Sequence, residues 1–593
     1  FGAGLVDAPG DKFAIGNTHA VTGLRDHAQL DCRIDQRRFG TAGTEDFMEV
    51  SLTAVQEAVA AAYPDRDCII SSRQRLTYGQ FNERTRRLGN YLVGRGLGLH
   101  TDRADLSGWE SGQDHLAIYM YNRPEYLEAM YGAYKARTAP FNVNYRYVEE
   151  ELVYLFRDSG ARAVVYEAAF APMVEHVRRE LGGPEVLIQV SDDSGNALID
   201  GAVEYEAALA SASAEPPVDQ PKAEDLYILY TGGTTGMPKG VLWRQSDIYF
   251  AALGGAAPGG GAEHESLESV VSAAASGIRV LPSPPFMHGA AHWASMNAFH
   301  TGGTVVIQDD TQRLVPTDIW NTVQTEGAQV LLIVGDAFAR PLLDELEKTS
   351  WDLSSLIVLV SGGAALNVTY KEAFLDKLPQ LMILDGIGSS ETGSQAANMS
   401  TRDGGASTGT FQPTPGNCVI DEDMGGVLPE GSEDIGWFAR AGRVPLGYLG
   451  DEAKTAKTFP TIDGVRFSVP GDRARQLAGG AIEVLGRDSV TINSGGEKIF
   501  AEEVEQAIKH HEAIYDAVCV GRPSERWGNE VVAIVALREG YTATADELRL
   551  EAEKHIARYK LPKEVIFLDE VLRSPSGKAD YRWAKEIATK GQA

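Results

Sequence analysis

Short apolar runs bounded by polar or glycine-rich turns recur through the middle of the chain, at residues 226–230, 330–334, 356–360 and 381–384. Between the later runs, residues 337–346 and 367–378 repeat apolar positions three and four apart, which lays one apolar stripe along a helix. Buried strands alternating with such helices predict a parallel sheet covered on both faces. Upstream, Val55, Ala58, Val59 and Ala62 predict a helix starting near Thr53, and 68–70 and 115–120 read as strands. Polar residues 98–113 predict an exposed loop. The Ala-, Ser- and Pro-rich stretch 207–221 predicts a connector, and the Gly-rich 254–262 a flexible loop. The last hundred residues change character. Charge density rises, and strand-like 517–520 and 531–537 flank a polar loop, so a small α+β domain is expected beyond a boundary near 486–488. Residues 1–48 show no sustained period and form an extension of unknown role.

Composition narrows the function classes. The 593 residues are 43% apolar and 23% charged, the balance of a folded protein with room for several domains. Lys and Arg number 54 against 83 Asp and Glu, a formal charge of −29. Phosphate backbones and anionic lipid repel such a surface, so no nucleic-acid partner is expected. A small anion stays possible, because backbone N–H groups and one placed cation can hold it. Four widely spaced cysteines, Cys32, Cys68, Cys418 and Cys519, form no C-x-x-C pair and read as reduced thiols. The longest stretch free of Asp, Glu, Lys and Arg, 280–308, is broken by prolines and histidines, so no integral membrane span is expected. No basic segment followed by an apolar run opens the chain. These features predict a cytoplasmic protein.

The strongest chemical signal is Tyr230-Thr231-Gly232-Gly233-Thr234-Thr235-Gly236-Met237-Pro238-Lys239-Gly240, directly after the run 226–230. Four glycines and three threonine hydroxyls describe a loop whose backbone can wrap phosphate oxygens, with Lys239 as a cation. A Walker A loop requires Gly-Lys-Ser/Thr, and Lys239 lies between Pro238 and Gly240, so that pattern fails. Glu391 follows another buried run in a Gly/Ser-rich turn, at the sheet edge where α/β folds put ligands. A carboxylate there suits Mg²⁺, which takes one or two protein carboxylates alongside water and phosphate. The small residues of Ser361-Gly362-Gly363-Ala364-Ala365 allow close approach to the backbone. Read locally, Asp472 is a turn former, Arg487 a surface cation and Lys578 a solvated charge.

Taken in order, these strings resemble the adenylate-forming superfamily of acyl-CoA synthetases, luciferases and peptide-synthetase adenylation domains. The resemblance rests on the phosphate loop, Asp385-Gly386-Ile387-Gly388-Ser389-Ser390-Glu391-Thr392, Pro470-Gly471-Asp472, Gly486-Arg487, Gly495-Gly496-Glu497-Lys498-Ile499 and Ser576-Gly577-Lys578. It covers about residues 50–590. It implies an α/β protein. A large domain, 49–488, has parallel-rich sheets covered by helices and a small β-barrel-like part, and a smaller mobile α+β domain spans 489–593. It implies ATP, Mg²⁺ and coenzyme A as cofactors and co-substrate, with a small carboxylic acid as the activated partner.

The resemblance also assigns site residues. Thr231, Gly232, Gly233, Thr234, Thr235, Gly236 and Lys239 would hold the ATP phosphates, and Glu391 the Mg²⁺. Gly363, Ala364 and Ala365 would line the adenine side, and Asp385, Gly386, Ile387, Gly388 and Ser389 would bind the cofactor, with Ile387 where the family usually stacks an aromatic. Ser390 would lie near the α-phosphate, Asp472 would accept the ribose hydroxyls, and Arg487 would contact ribose or phosphate. Lys578, Glu391, Thr231 and His288 are the implied catalytic set. Lys578 would bridge carboxylate and α-phosphate, and His288, in Pro284-Pro285-Phe286-Met287-His288-Gly289, would lie beside the acyl pocket. His292, Trp293, Phe286, Met287 and Met296 could line that pocket or be plain core. The small domain would swing about a hinge at Ser489, exchanging its Lys578 face for a Gly495, Gly496 and Lys498 face that admits the thiol. The strings 240–244 and 142–148 are similar to bacterial ligases of fatty acids and steroid side-chain acids. Left open are a ligase loading a carrier protein, a luciferase, and a nucleotide-binding homologue without turnover. The N-terminal arm could join a homodimer.

Overall fold

The structure is a computed structural model that describes residues 48–231, 237–256, 261–494, 497–524, 526–574 and 577–590. Residues 232–236 of the phosphate loop, Gly495, Gly496 and the extension 1–47 lie outside the described residues.

Six strands make the parallel part of the largest sheet. In spatial order they are Asp67–Ile70, Thr304–Val306, Arg279–Pro282, Val330–Ile333, Val358–Gly362 and Met382–Ser389. Helices Gly335–Lys348 and Val368–Lys377 fall on the stretches whose period predicted them, each closing a crossover between parallel neighbours. From Met382–Ser389 onward the sheet turns antiparallel, through Gly393–Ser400, Thr410–Pro413, Ile482–Arg487, Asp472–Gln476 and Ile435–Ala441. Those strands enclose a separate core of Phe411, Val419, Phe438, Ala474 and Ile482. A second parallel sheet joins Ala139–Asn142, His115–Tyr119, Ala163–Glu167, Val186–Val190 and Val203–Glu204. Its strands are almost continuously buried, as sheets covered on both faces require. This is the α/β architecture expected from the alternating runs.

Three details depart from the sequence reading. Helix Tyr205–Ala210 occupies the start of the supposed connector 207–221, burying Tyr205, Ala208 and Leu209. Strand Met382–Ser389 outruns its apolar run because the hairpin partner Gly393–Ser400 supplies a ladder for Asp385 to Ser389. The polar loop expected after 520 is mostly ladder. Strands Ile514–Ser524 and Gly528–Leu537 continue through it, with Arg522 and Glu530 ion-paired across the two strands. Helices Ala501–Lys509 and Tyr581–Lys590 pack on that hairpin, and Glu564–Leu568 adds a parallel edge.

Candidate active site

The strand Met382–Ser389 and its partner Gly393–Ser400 join through a tight turn carrying Ser390 and Glu391. A Cβ on Gly388 would lie 2.3 Å from the Gly393 carbonyl oxygen, so only glycine lets the two strands meet there. Side chains from three other elements then fix the turn. Trp243, fully buried on strand Lys239–Arg244, donates its indole N–H to the Ser390 carbonyl at 2.8 Å. Ser468 donates its hydroxyl to the Glu391 carbonyl at 2.6 Å. Tyr448 donates to the Glu391 carboxylate, Oη to Oε1, at 2.8 Å.

Asp472 and Arg487 face each other across the antiparallel pair Asp472–Gln476 and Ile482–Arg487, with Arg487 Nε 3.2 Å from Asp472 Oδ1. That pairing, opposed by burial, lifts the guanidinium pKa, and the charge of Glu391 adds to it. Strand Val358–Gly362 ends at Gly363, whose φ of +89° is the left-handed region that favours glycine. A Cβ there would sit 4.0 Å from Lys578 Cε, so the small domain's lysine lies over the tip of a large-domain strand. Crowding by protein and the nearby Arg487 draw the Lys578 pKa down, while Glu391 and Asp472 oppose them. The residue is exposed to solvent in the cleft, which limits the desolvation. Gly363, Glu391, Asp472, Arg487 and Lys578, drawn from five separate motifs, therefore converge on one cleft.

His288 borders the same cleft. It precedes helix Gly289–His300, and two asparagines hold its loop. Asn122 bonds Phe286 N and Pro284 O, while Asn142 bonds Met287 O together with Tyr230 N and O. Burial, then Lys578, pushes the imidazole down to about 3, so it is neutral at working pH. Its Nε2 is buried and has no partner among the described residues. His292 differs, with Nδ1 2.8 Å from the Phe286 carbonyl and Nε2 bonded to the Tyr227 hydroxyl, a satisfied core histidine. Phe286, Met287 and Met296 are fully buried, and only Trp293 is half-open.

Other expected site residues need correction or lie elsewhere. Asp385 does not offer its carboxylate to the cleft. The alternation of the strand turns it inward, where it pairs with buried Lys371 at 2.8 Å. Ile387 is half-buried and leans on the antiparallel core beside Phe411 and Ala474. Ala364 and Ala365 pack beneath Gly335, whose Cβ would lie 2.5 Å from the Ala365 carbonyl. Thr231 and Lys239 stand opposite each other at the mouth of the phosphate loop, and Lys239 pairs with Asp451 at 3.2 Å. Lys498 is away from the cleft, bound to Glu422, which also receives Arg473. Gly232, Gly233, Thr234, Thr235, Gly236, Gly495 and Gly496 lie outside the described residues. Sequence reasoning missed Trp243, Tyr448, Ser468 and Asp451, none of which stands inside a recognised string as a ligand-binding type.

Comparisons with known proteins identify the family. Residues 56–441 match the AMP-binding enzyme family and residues 503–578 the AMP-binding enzyme C-terminal domain. The chain is 54% identical over 543 residues to a medium-chain acyl-CoA ligase, Mig, of Mycobacterium avium, covering 91% of this chain and 98% of that protein. It is 40% identical over 552 residues to a 3-oxocholest-4-en-26-oate–CoA ligase of Rhodococcus rhodochrous, covering 91% and 96%. Among solved structures it superposes on an anthranilate CoA ligase, AuaEII, in complex with anthranoyl-AMP, with a TM-score of 0.77, 19% identity and coverage of 91% and 98%. With both family domains matched over most of its length and acyl-CoA ligases among its near relatives, the chain belongs to the AMP-binding enzyme family, within its acyl-CoA ligases.

Proposed function

We propose that this ligase activates a medium-chain fatty acid or a steroid side-chain acid with ATP and Mg²⁺. In the first step the carboxylate oxygen attacks the α-phosphorus, the bond to the β-phosphate bridge breaks, and pyrophosphate leaves. In the second the CoA sulfur, as thiolate, attacks the acyl carbonyl and AMP departs. The observation that carries this reading is Lys578 lying over Gly363 with Glu391, Asp472 and Arg487 around it. Two anions must meet in the first step, and a cation delivered by the small domain stabilises the crowded transition state. The Asp472 carboxylate accepts ribose hydroxyls, Arg487 contacts the α-phosphate side, and Thr231 with Lys239 guides the outer phosphates. Lys239 then exchanges Asp451 for phosphate oxygens. His288, being neutral, orients the substrate carboxylate by a hydrogen bond and takes no proton.

Mg²⁺ fits the residues present. Tyr448 occupies one oxygen of Glu391, no described donor bonds the other, and no cluster of three metal-ligating side chains exists among the described residues. A single carboxylate plus phosphate oxygens and water is a common Mg²⁺ set. When bound, the ion neutralises phosphate charge and aligns the α-phosphate.

The names of the relatives support the substrate class, the 54% relative being a medium-chain ligase and the 40% relative a cholestenoate ligase. For the second step the small domain, 489–593, rotates at Ser489, just past strand Ile482–Arg487, and turns the face of Gly495, Gly496 and Lys498 inward. We further propose that the protein works as a homodimer and in the cytoplasm. No described helix is long and apolar enough to cross a membrane.

The test is pyrophosphate release with short, medium and long fatty acids and a steroid side-chain acid, with and without CoA. CoA-dependent turnover, strongest with medium chains, is expected. A single CoA-independent burst would point instead to carrier-protein loading, and no release with any acid would overturn the reading. Sizing the chain against a version starting at Glu49 tests the dimer, which fails if the two match.

A further inference from the structure

Tyr448 is neither a phosphate ligand nor part of the recognised strings, yet its hydroxyl lies 2.8 Å from the carboxylate expected to carry the metal. It sits on the two-residue strand Gly447–Tyr448, which pairs with Lys239–Arg244, the strand leaving the phosphate loop. Its ring is 2% exposed and packs on Phe459 at 5.5 Å, and the Lys454 ammonium lies 4.3 Å from the ring centre. The backbone of the Ser390–Glu391 turn is held separately, by Trp243 and Ser468. Backbone and carboxylate thus have different anchors.

We infer that Tyr448 is a positioning residue that fixes the Glu391 carboxylate as a one-oxygen metal ligand, its hydrogen bond holding Oε1 and leaving Oε2 for the metal. This rests on Glu391 holding Mg²⁺. The carboxylate of an unanchored Glu rotates and can bind a cation with one oxygen or two, whereas Mg²⁺ demands near-octahedral geometry with single-oxygen ligands. A hydrogen bond to one oxygen sets the carboxylate plane before the metal arrives. Partners of this kind are worth about 10- to 100-fold in metal affinity when removed. The arrangement also links the metal to the phosphate loop, because Tyr448 and Lys239 belong to paired strands and Lys239 reaches Asp451, three residues past Tyr448.

Tyr448→Phe keeps the ring, its packing and both backbone anchors, and removes only the hydroxyl. Mn²⁺ binding to the enzyme–ATP complex, without acid substrate, is read by electron paramagnetic resonance. ATP binding with and without Mg²⁺ is read by calorimetry, and the Mg²⁺ dependence of pyrophosphate release with saturating acid is measured alongside. Tyr448→Phe is expected to weaken Mn²⁺ binding about tenfold and to raise the half-saturating Mg²⁺ equally. Metal-free ATP binding should stay unchanged, and turnover should return at saturating metal. A general packing role would lower turnover at all metal concentrations, and that result overturns the proposal. Glu391→Gln is the companion variant. If it shifts the metal curve and Tyr448→Phe does not, Tyr448 has no positioning role. If Glu391→Gln leaves the curve unmoved, the assignment of metal to Glu391 falls, and the role of Tyr448 with it.

Discussion

Lys509, at the end of small-domain helix Ala501–Lys509, lies 3.1 Å from Asp336 of the large domain and 3.3 Å from Asp516 of its own domain. The three side chains are nearly buried, so the attraction is little screened by solvent. Beside them, Asn367 donates to Gln506 at 2.9 Å, and Arg340 stacks over the Tyr515 ring while donating to its carbonyl at 2.7 Å. These contacts hold the small domain in the arrangement that lays Lys578 over Gly363.

Asp336→Asn isolates the cross-domain charge. Asp336 Oδ1 accepts from the Asn367 backbone at 2.7 Å, a bond the amide oxygen keeps, and Asp516 stays with Lys509 so no buried cation is orphaned. Adenylate formation should slow about tenfold, equal to about 1.4 kcal/mol. Thioester formation from preformed acyl-adenylate, which needs the other domain arrangement, should not slow. Single-turnover measurements of each half-reaction decide. Equal slowing of both would show that the pair only supports the fold.

Glu502 predicts a pH dependence. One oxygen is buried without a partner among the described residues, and the carboxyl crowds Gly486, where a Cβ would lie 2.3 Å from Oε2. Burial above all, with Asp472 adding, raises its pKa to about 7. A carboxyl raised in one arrangement favours that arrangement while protonated. The arrangement with Lys578 over Gly363 therefore gains most below the ordinary carboxylate range, and the gain is lost as pH climbs through about 7. The rate of adenylate formation should fall across that window, and Glu502→Gln should flatten the fall. An unchanged profile in Glu502→Gln would assign it to another group.

Lys371 and Asp385 form a pair whose removal should affect stability and spare the nucleotide. Lys371 is fully buried and also donates to the Ser407 carbonyl at 2.6 Å. Lys371→Met leaves a buried carboxylate without its cation, at a cost of about 3–5 kcal/mol. Thermal unfolding should shift down markedly, with the KM for ATP little changed, and adding Asp385→Asn should recover part of the loss. A large rise in KM for ATP without loss of stability would return Asp385 to the binding surface.

The parallel sheet was legible where its strands carry short apolar runs, such as 330–334 and 356–360, separated by stretches of helical period. Gly363, Glu391, Asp472, Arg487 and Lys578 could be listed from motifs that are far apart in sequence and that only the fold brings together. What the sequence could not reveal depends on long-range geometry. Tyr448 is 57 residues from Glu391, and a tyrosine among Gly447, Leu449 and Gly450 carries no local sign of its hydrogen bond. The burial of the Asp385 carboxylate was not legible because neighbouring motif residues alternate sides on a strand. Its partner Lys371 lies on helix Val368–Lys377 among polar neighbours and reads as a surface charge until burial is known.

Lys578→Ala gives the sharpest separation of the two half-reactions. The side chain comes from the turn after Gly577, whose φ of +73° favours glycine and whose Cβ would lie 3.2 Å from Val334. The lysine's approach is thus set by backbone contacts that truncation leaves intact. Without the ammonium, the two anions meeting at the α-phosphorus lose a preorganised cation. Losses of this kind run to about 100- to 1,000-fold in rate. Pyrophosphate release from acid and ATP should fall by that factor, while CoA-dependent consumption of preformed acyl-adenylate should stay within a few-fold of the parent. Should both steps fall together, Lys578 would be acting through the domain interface. Should neither fall, the cation for the first step must come from elsewhere in the cleft, with Arg487 the nearest charged candidate beside Asp472.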